Sequence, residues 1–296
     1  MTDIEIVAII GAGPAGMAAA LQLKRYGLNP LLLERAEIGG LLRNANLVEN
    51  YPGFPGGIPG PNLVRLFAEQ IKGIGIAVTY AEVSTLLLEA ETFVIKTNDG
   101  KKYLSKTVII ASGTQPRTFK DFAIPNLLRN RIYYEVYPLL TMRGKTIAII
   151  GAGDAAFDYA LNLARNNRVL ILNRDSNVNC LPLLQQRADQ NPHIHYQAGI
   201  SISRVTEAPE GNLRLICNSS QQIMEIEADY LVGALGRKPQ LDFLGEEISG
   251  KIQQLEKQGN LFLIGDVKNG LYRQTAIAVG DAIKVAMQIY QQEVST

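Results

Sequence analysis

A chain of 296 residues is longer than one ordinary hydrophobic core requires and suits two domains. Apolar residues make up 47% and charged residues 19%, a globular profile, and a net charge of +1 offers no footprint for nucleic acid or an anionic membrane. With two cysteines, Cys180 and Cys217, and two histidines, His193 and His195, a disulfide-stapled scaffold and a structural zinc site are excluded, and His-based catalysis has few candidates.

The chain opens on Ile4-Glu-Ile-Val-Ala-Ile-Ile10, a β-branched run that reads as a buried parallel strand. No Lys or Arg precedes it, so it is not read as a signal peptide, and no apolar run is long enough to span a bilayer. A cytoplasmic location without membrane insertion is the expectation. The strand enters Gly11-Ala-Gly13-Pro14-Ala15-Gly16, a helix is expected over 15–26 with Gly27 as its stop, and a second strand follows over 30–34. A lone Gly-x-Gly-x-x-Gly is weak evidence. Between a strand and a helix, with Glu34 placed 23 positions beyond Gly11, it reads as a dinucleotide-binding turn. Gly11 makes the tight turn, Gly13 lets a pyrophosphate approach backbone N–H groups, and Gly16 lets helix and strand pack closely. The anion then meets the helix N-terminus, and Glu34 accepts hydrogen bonds from the ribose hydroxyls.

The same unit returns. A strand is expected over 145–150, Gly151-Ala-Gly153-Asp154-Ala155-Ala156 forms the turn, a helix covers 155–164, and a strand covers 168–172. Counting 23 positions from Gly151 reaches Arg174, where the first unit has Glu34. A carboxylate there suits a free ribose hydroxyl and an arginine suits a 2′-phosphate. NADP is therefore favoured, with NAD kept open by the adjacent Asp175. His193 and His195 share one face of a surface strand after a turn, and no third metal ligand lies nearby. Near the C-terminus a strand ends in Gly265-Asp266, and a last helix is expected from about Leu271 to about Tyr290. The fold class expected is α/β, with two Rossmann-like three-layer dinucleotide-binding domains.

These segments resemble the low-molecular-weight thioredoxin reductases and the related ferredoxin–NADP reductases, over nearly the whole chain. The resemblance implies that 11–16 bind FAD, with Glu34 and Arg35 at its adenosine end. It implies that Gly40 and Leu41, followed by Val48-Glu-Asn-Tyr-Pro-Gly53, lie beside the isoalloxazine ring, with Asn50 the nearest contact. Ala111 and Gly113 match a crossing segment, Gly265 and Asp266 the ribityl and phosphate contacts, and Arg273, Gln274 and Thr275 the pyrimidine end. A helix starting there would aim its positive end at the ring edge that gains charge on reduction. Gly151, Gly153, Asp154, Ala155 and Arg174 are the matching nicotinamide-dinucleotide contacts.

The resemblance breaks at one place. Thioredoxin reductases carry a Cys-x-x-Cys shortly before the second Gly-rich turn, where this chain has Tyr134-Glu135-Val136-Tyr137, and Pro138 replaces the acid that usually follows. Tyr133, Tyr134 and Tyr137 are read as packing residues between domains, and Cys180 and Cys217 as unpaired. The resemblance implies a FAD domain formed by 1–116 and 246–296, a NAD(P) domain over 117–245, crossing strands at 115–118 and 241–245, two connections permitting rotation, and a homodimer. The activity implied is electron transfer between NAD(P)H and an acceptor such as ferredoxin, flavodoxin, a quinone or a small molecule. The alternative is a flavoprotein reduced by another donor, or a flavin- or nucleotide-binding sensor. No side chain is assigned as catalytic and no metal is expected.

Overall fold

The computed structural model describes residues 4–219 and 222–295. They form two compact units: one runs to Arg43, over Val48–Gln115 and from Lys238 onward, and the other comprises Asn44–Leu47 and Pro116–Arg237. The chain thus changes unit on both sides of the short segment Asn44–Leu47, as well as at 115/116 and 237/238.

In the first unit, parallel strands run in the order Val78–Tyr80, Leu31–Glu34, Ile4–Ile10, Lys102–Ile110 and Leu261–Leu263. Lys102–Ile110 changes partner along its length. Its early half pairs antiparallel with Thr92–Thr97, which pairs with Val83–Glu89, and its late half pairs parallel with Leu261–Leu263. Buried residues of Ile4–Ile10 alternate between two apolar clusters. Val7 and Ile9 pack with the helices Pro14–Arg25 and Thr275–Ser295, and Ala8 and Ile10 pack with Phe93, Phe243 and Ile248. The half of the strand buried on both faces, residues 7–10, has no polar side to show, which is why that part of its sequence is a continuous apolar run.

The second unit repeats the plan, with parallel strands ordered Ile194–Ala198, Arg168–Asn173, Thr146–Ile150, Tyr230–Gly233 and Ile132–Tyr133. A separate antiparallel ladder is built from Ser201–Glu207, Leu213–Asn218 and Ile223–Ala228. Ile147 and Ile149 face one cluster and Ala148 the other. Both units are therefore three-layer α/β folds of Rossmann type. No helix among the described residues is long and apolar enough to cross a membrane.

Several boundaries differ from the sequence reading. The paired connecting strands are Thr114–Pro116 and Arg237–Pro239, not 115–118 and 241–245. The second segment is instead fastened inside the first unit: the Leu86 N–H donates to the Phe243 carbonyl at 2.8 Å, the Gly245 N–H donates to the Leu86 carbonyl at 3.0 Å, and Phe243 is buried. Return to the first unit consequently falls at Lys238 rather than 246. The last helix begins at Thr275 rather than Leu271, because Gly270 takes φ +58° and short turns to Asn269 and Leu271 occupy the N–H groups of Tyr272 and Arg273. Tyr133 and Tyr134 pack within the second unit, against Tyr230 and Phe119, because Tyr133 ends a strand of its sheet and Tyr134 follows it directly.

Candidate functional site

The first Gly-rich turn is shaped by contacts a side chain would block. At Gly11, φ is +105° and an added Cβ would lie 2.5 Å from the Ala111 carbonyl oxygen. At Gly16 an added Cβ would collide with the Gly11 carbonyl, which is the close helix–strand packing expected of the third glycine. Gly13 differs. It caps the helix Pro14–Arg25 at φ −76°, and only the Gly40 Cα comes within 4.0 Å of where its Cβ would be. No neighbouring protein atom demands glycine there, so the space it leaves is available to something outside the chain. The cap has no side-chain partner and the first turn has no acid, leaving backbone N–H groups for an anion.

Glu34, 9% exposed, accepts the Ala12 N–H at 2.8 Å and the Ala36 N–H at 3.1 Å. A carboxylate with about four lone-pair sites retains capacity for ribose hydroxyls. A cleft lined by Ile10, Gly11, Glu34, Arg35, Val83 and Ser112 adjoins it, apolar and polar in the mixture an adenosine needs. Arg35 is exposed at its rim.

Of the remaining residues of the expected FAD site, Gly40, Ala111 and Gly265 meet this turn. Gly265, at φ +70°, would place a Cβ 2.9 Å from that of Ala15 and 3.4 Å from that of Ala278, so the Gly265-Asp266 corner docks between two helix starts. Gly40 and Leu41 lie in the 3-10 segment Gly40–Asn44. Asn50 Nδ2 donates to Gln274 Oε1 at 2.8 Å across 224 positions of sequence. Thr275 begins the last helix, and Arg273 Nε is buried without a hydrogen-bond partner among the described residues. An orphaned buried cationic donor and a glycine cradle fit an anionic, hydrogen-bonding cofactor such as FAD. Ala111 closes the turn, donating its N–H to the Ile10 carbonyl at 2.9 Å, and Gly113, at φ +65°, accepts the Gln240 N–H at 3.0 Å. Ser112, inside the matched crossing segment, donates its hydroxyl to the Gln240 carbonyl at 2.6 Å. One contributor went unseen in the sequence: Asp281, whose Oδ2 accepts the Gly265 N–H at 3.1 Å across a distance only folding closes.

The second turn copies the first in detail. Gly151 has φ +128°, and a Cβ there would lie 2.6 Å from the Ala234 carbonyl oxygen, as Gly11 meets Ala111. Gly153 caps the helix Asp154–Leu163 at φ −96° and leaves 3.8 Å to the nearest carbonyl. The Asn179 N–H donates to the Ala152 carbonyl at 2.9 Å, as the Gly39 N–H does to Ala12 at 2.8 Å. Asp154 Oδ1 accepts the Leu181 N–H at 2.7 Å, fixing the loop beside the turn, and Ala155 is exposed. One detail is corrected. The Gly151 N–H donates to the Leu172 carbonyl just as that of Gly11 donates to Leu33, so the residue corresponding to Glu34 is Asn173 and not Arg174. The helix here has 10 residues against 12 in the first unit, which defeats the counting of positions.

The stretch Tyr134-Glu135-Val136-Tyr137 is held by the second unit's own polar cluster. Asn44 Oδ1 accepts the N–H groups of Val136 at 3.0 Å and Tyr137 at 2.9 Å. Glu135 pairs with Arg237 at 3.0 Å, and Asn162 Nδ2 donates to the Asn44 carbonyl at 3.1 Å. Asp158 Oδ2 accepts the Asn46 N–H at 2.9 Å, and burial pushes its carboxyl up to about 6. Burial likewise pushes the Tyr159 phenol up to about 12. Cys180 and Cys217 are both free thiols. Burial raises both, Cys217 to about 11, which lowers the thiolate fraction at neutral pH. Among the described residues no group of three His, Cys, Asp or Glu is arranged to hold a metal, and His195 is exposed on the edge strand Ile194–Ala198.

A family model described as pyridine nucleotide-disulphide oxidoreductase matches residues 6–282. The thioredoxin reductase of Bacillus subtilis (strain 168) is 30% identical over 298 residues, covering 96% of this chain and 93% of the relative. That of Streptomyces coelicolor is 31% identical over 304 residues, with 97% and 93% covered. Among solved structures, Lactococcus lactis thioredoxin reductase superposes with a TM-score of 0.84 at 27% identity, covering 99% of this chain and all of that one.

Proposed function

Because the chain belongs to the pyridine nucleotide-disulphide oxidoreductase family, on its thioredoxin reductase-like branch, we propose that it is an NAD(P)H oxidoreductase whose electron acceptor lies outside the chain. Family members of this kind use FAD and NADPH. FAD, when bound, supplies the hydride and electron chemistry, and the chain supplies position and electrostatics. In the first unit, Gly13 and Gly40 leave the diphosphate its path and Glu34 takes the ribose. Arg273, buried and unsatisfied at Nε, offers positive charge where the ring would gain electrons. In the second unit, Gly153 offers the equivalent path to the electron donor, on a turn made by Gly151.

The observation that carries the reading is the segment 134–137. It has no thiol, its Val136 and Tyr137 backbone N–H groups are taken by Asn44, and its one charged side chain is paired with Arg237. No cysteine precedes Cys180 in the sequence. A tyrosine or glutamate cannot accept a hydride as a disulfide can, so electrons leave for ferredoxin, flavodoxin, a quinone or a small oxidant.

Anaerobic mixing of the FAD-loaded protein with NADPH or NADH tests this. Bleaching of the flavin, followed by recovery on adding one member of that acceptor panel, is expected, and a Cys180→Ser/Cys217→Ser variant should behave identically. An oxidised spectrum stable to both nucleotides would overturn the reading in favour of a flavoprotein with another donor or a binding protein. Loss of turnover in the double variant would return the electron path to the chain's own sulfur.

A further inference from the structure

The corner where the second unit would read the adenosine ribose is electrically neutral, unlike its counterpart in the first. Asn173 stands where Glu34 does, and the two share one local bond: Glu34 Oε1 accepts the Ala36 N–H at 3.1 Å, and Asn173 Oδ1 accepts the Asp175 N–H at 3.2 Å. Both amide protons of Asn173 are already committed, to the Asn177 carbonyl at 2.9 Å and the Tyr196 hydroxyl at 3.0 Å. At 6% exposure the side chain turns inward, with no donor left for a phosphate. The charge that remains is on Arg174 and Asp175, whose side chains are 74% and 70% exposed and lie 3.5 Å apart at Nε and Oδ2. Ser176, Asn177, Val178 and Asn179 complete the loop without charge.

A 2′-phosphate adds two negative charges to the ribose, where a 2′-hydroxyl adds none. Arg174 alone would favour the phosphate, since a guanidinium matches it in charge and geometry. Asp175 sets an equal negative charge beside it. At such exposed positions the contribution of each charge depends on its distance and on screening rather than on a tight pair, so the two largely cancel. Specificity is a difference between two affinities, and a repulsive element counts as much as an attractive one. Resting on the reading that this unit takes the nicotinamide dinucleotide, we propose that the site accepts the 2′-hydroxyl and 2′-phosphate forms with little discrimination, and that Asp175 is the residue that sets this.

Calorimetric binding of NAD+ and NADP+ to the FAD-loaded protein supplies the test, with no turnover involved. For the unaltered chain the two dissociation constants should agree within about threefold. Asp175→Asn should tighten NADP+ by roughly fivefold to tenfold while leaving NAD+ unchanged, and Asp175→Arg should tighten it further, with a gain that shrinks as salt is raised. Both variants alter an exposed side chain and keep the backbone N–H that Asn173 accepts, so folding should survive. A preference for NADP+ beyond about thirtyfold in the unaltered chain, or an unmoved ratio in both variants, would overturn the proposal and leave the nucleotide reading intact. Failure of both nucleotides to bind would overturn the two together.

Discussion

Asp158 shows how one half-buried carboxyl couples this fold to pH. Its pKa stands at about 6 against an ordinary 3.8, chiefly because burial disfavours the charge, with the Arg165 charge and backbone N–H bonds from Asn46 and Leu47 offsetting part of that. A carboxyl raised in the folded state binds more protons there than in the unfolded chain. Stability from this group is therefore greatest below the unfolded pKa, declines as pH rises through the window from about 4 to about 6, and stays low above it. Asp158→Asn keeps an acceptor for the Asn46 N–H and removes the charge. It should raise stability by about 2 kcal/mol at pH 8 and change little near pH 4. Urea denaturation at the two pH values checks this, and equal effects at both would refute the electrostatic account. The same reasoning makes Cys217 an inert packing thiol, since it is fully buried in an apolar cluster.

Among the elements, Asn44–Leu47 is short in sequence and heavily bonded. Asn44 is 2% exposed, and its side-chain oxygen accepts two backbone N–H groups, that of Val136 buried and that of Tyr137 partly so. Asn44→Ala should cost about 3 kcal/mol of stability, where Ala45→Gly beside it should cost much less, because only the first strands buried donors. Urea midpoints of the two variants decide between them. No sequence pattern announces this segment, because its partners at 136, 137, 158 and 162 are remote in the chain. The Gly-rich turns, by contrast, are legible because strand, turn and helix are contiguous and Gly11, Gly16 and Gly151 each have a steric task there. What stayed hidden needed geometry. Lys102–Ile110 exchanges an antiparallel partner for a parallel one partway along, with Ser105 bonded to its own strand at Thr107 beside the switch, and nothing in its apolar pattern marks that. The correspondence of Asn173 with Glu34 likewise required the strand register, since a shorter helix had shifted the count.

At the scale of the molecule, two units carry two closely similar turns, and each turn has one glycine that the protein itself does not need. The Cβ of an alanine at position 13 would meet only the Gly40 Cα, at 4.0 Å, and at position 153 only the Asn179 carbonyl, at 3.8 Å. Both sit at φ values an alanine adopts freely, −76° and −96°. Gly11 and Gly151 cannot serve for this comparison, because left-handed φ and contacts near 2.5 Å make any substitution there a folding defect. Gly13→Ala and Gly153→Ala should therefore fold normally and differ only in what they bind. A ligand at about 100 times its dissociation constant adds about 2.7 kcal/mol to the state that binds it. FAD should raise the unfolding temperature of the unaltered chain and of Gly153→Ala but not of Gly13→Ala. NAD+ or NADP+ should do the converse, protecting Gly13→Ala and not Gly153→Ala. Scanning calorimetry of apoprotein with each ligand reads all four combinations. FAD protection that survived Gly13→Ala, or that vanished in Gly153→Ala, would mean that the two turns do not divide the cofactor and the electron donor between them.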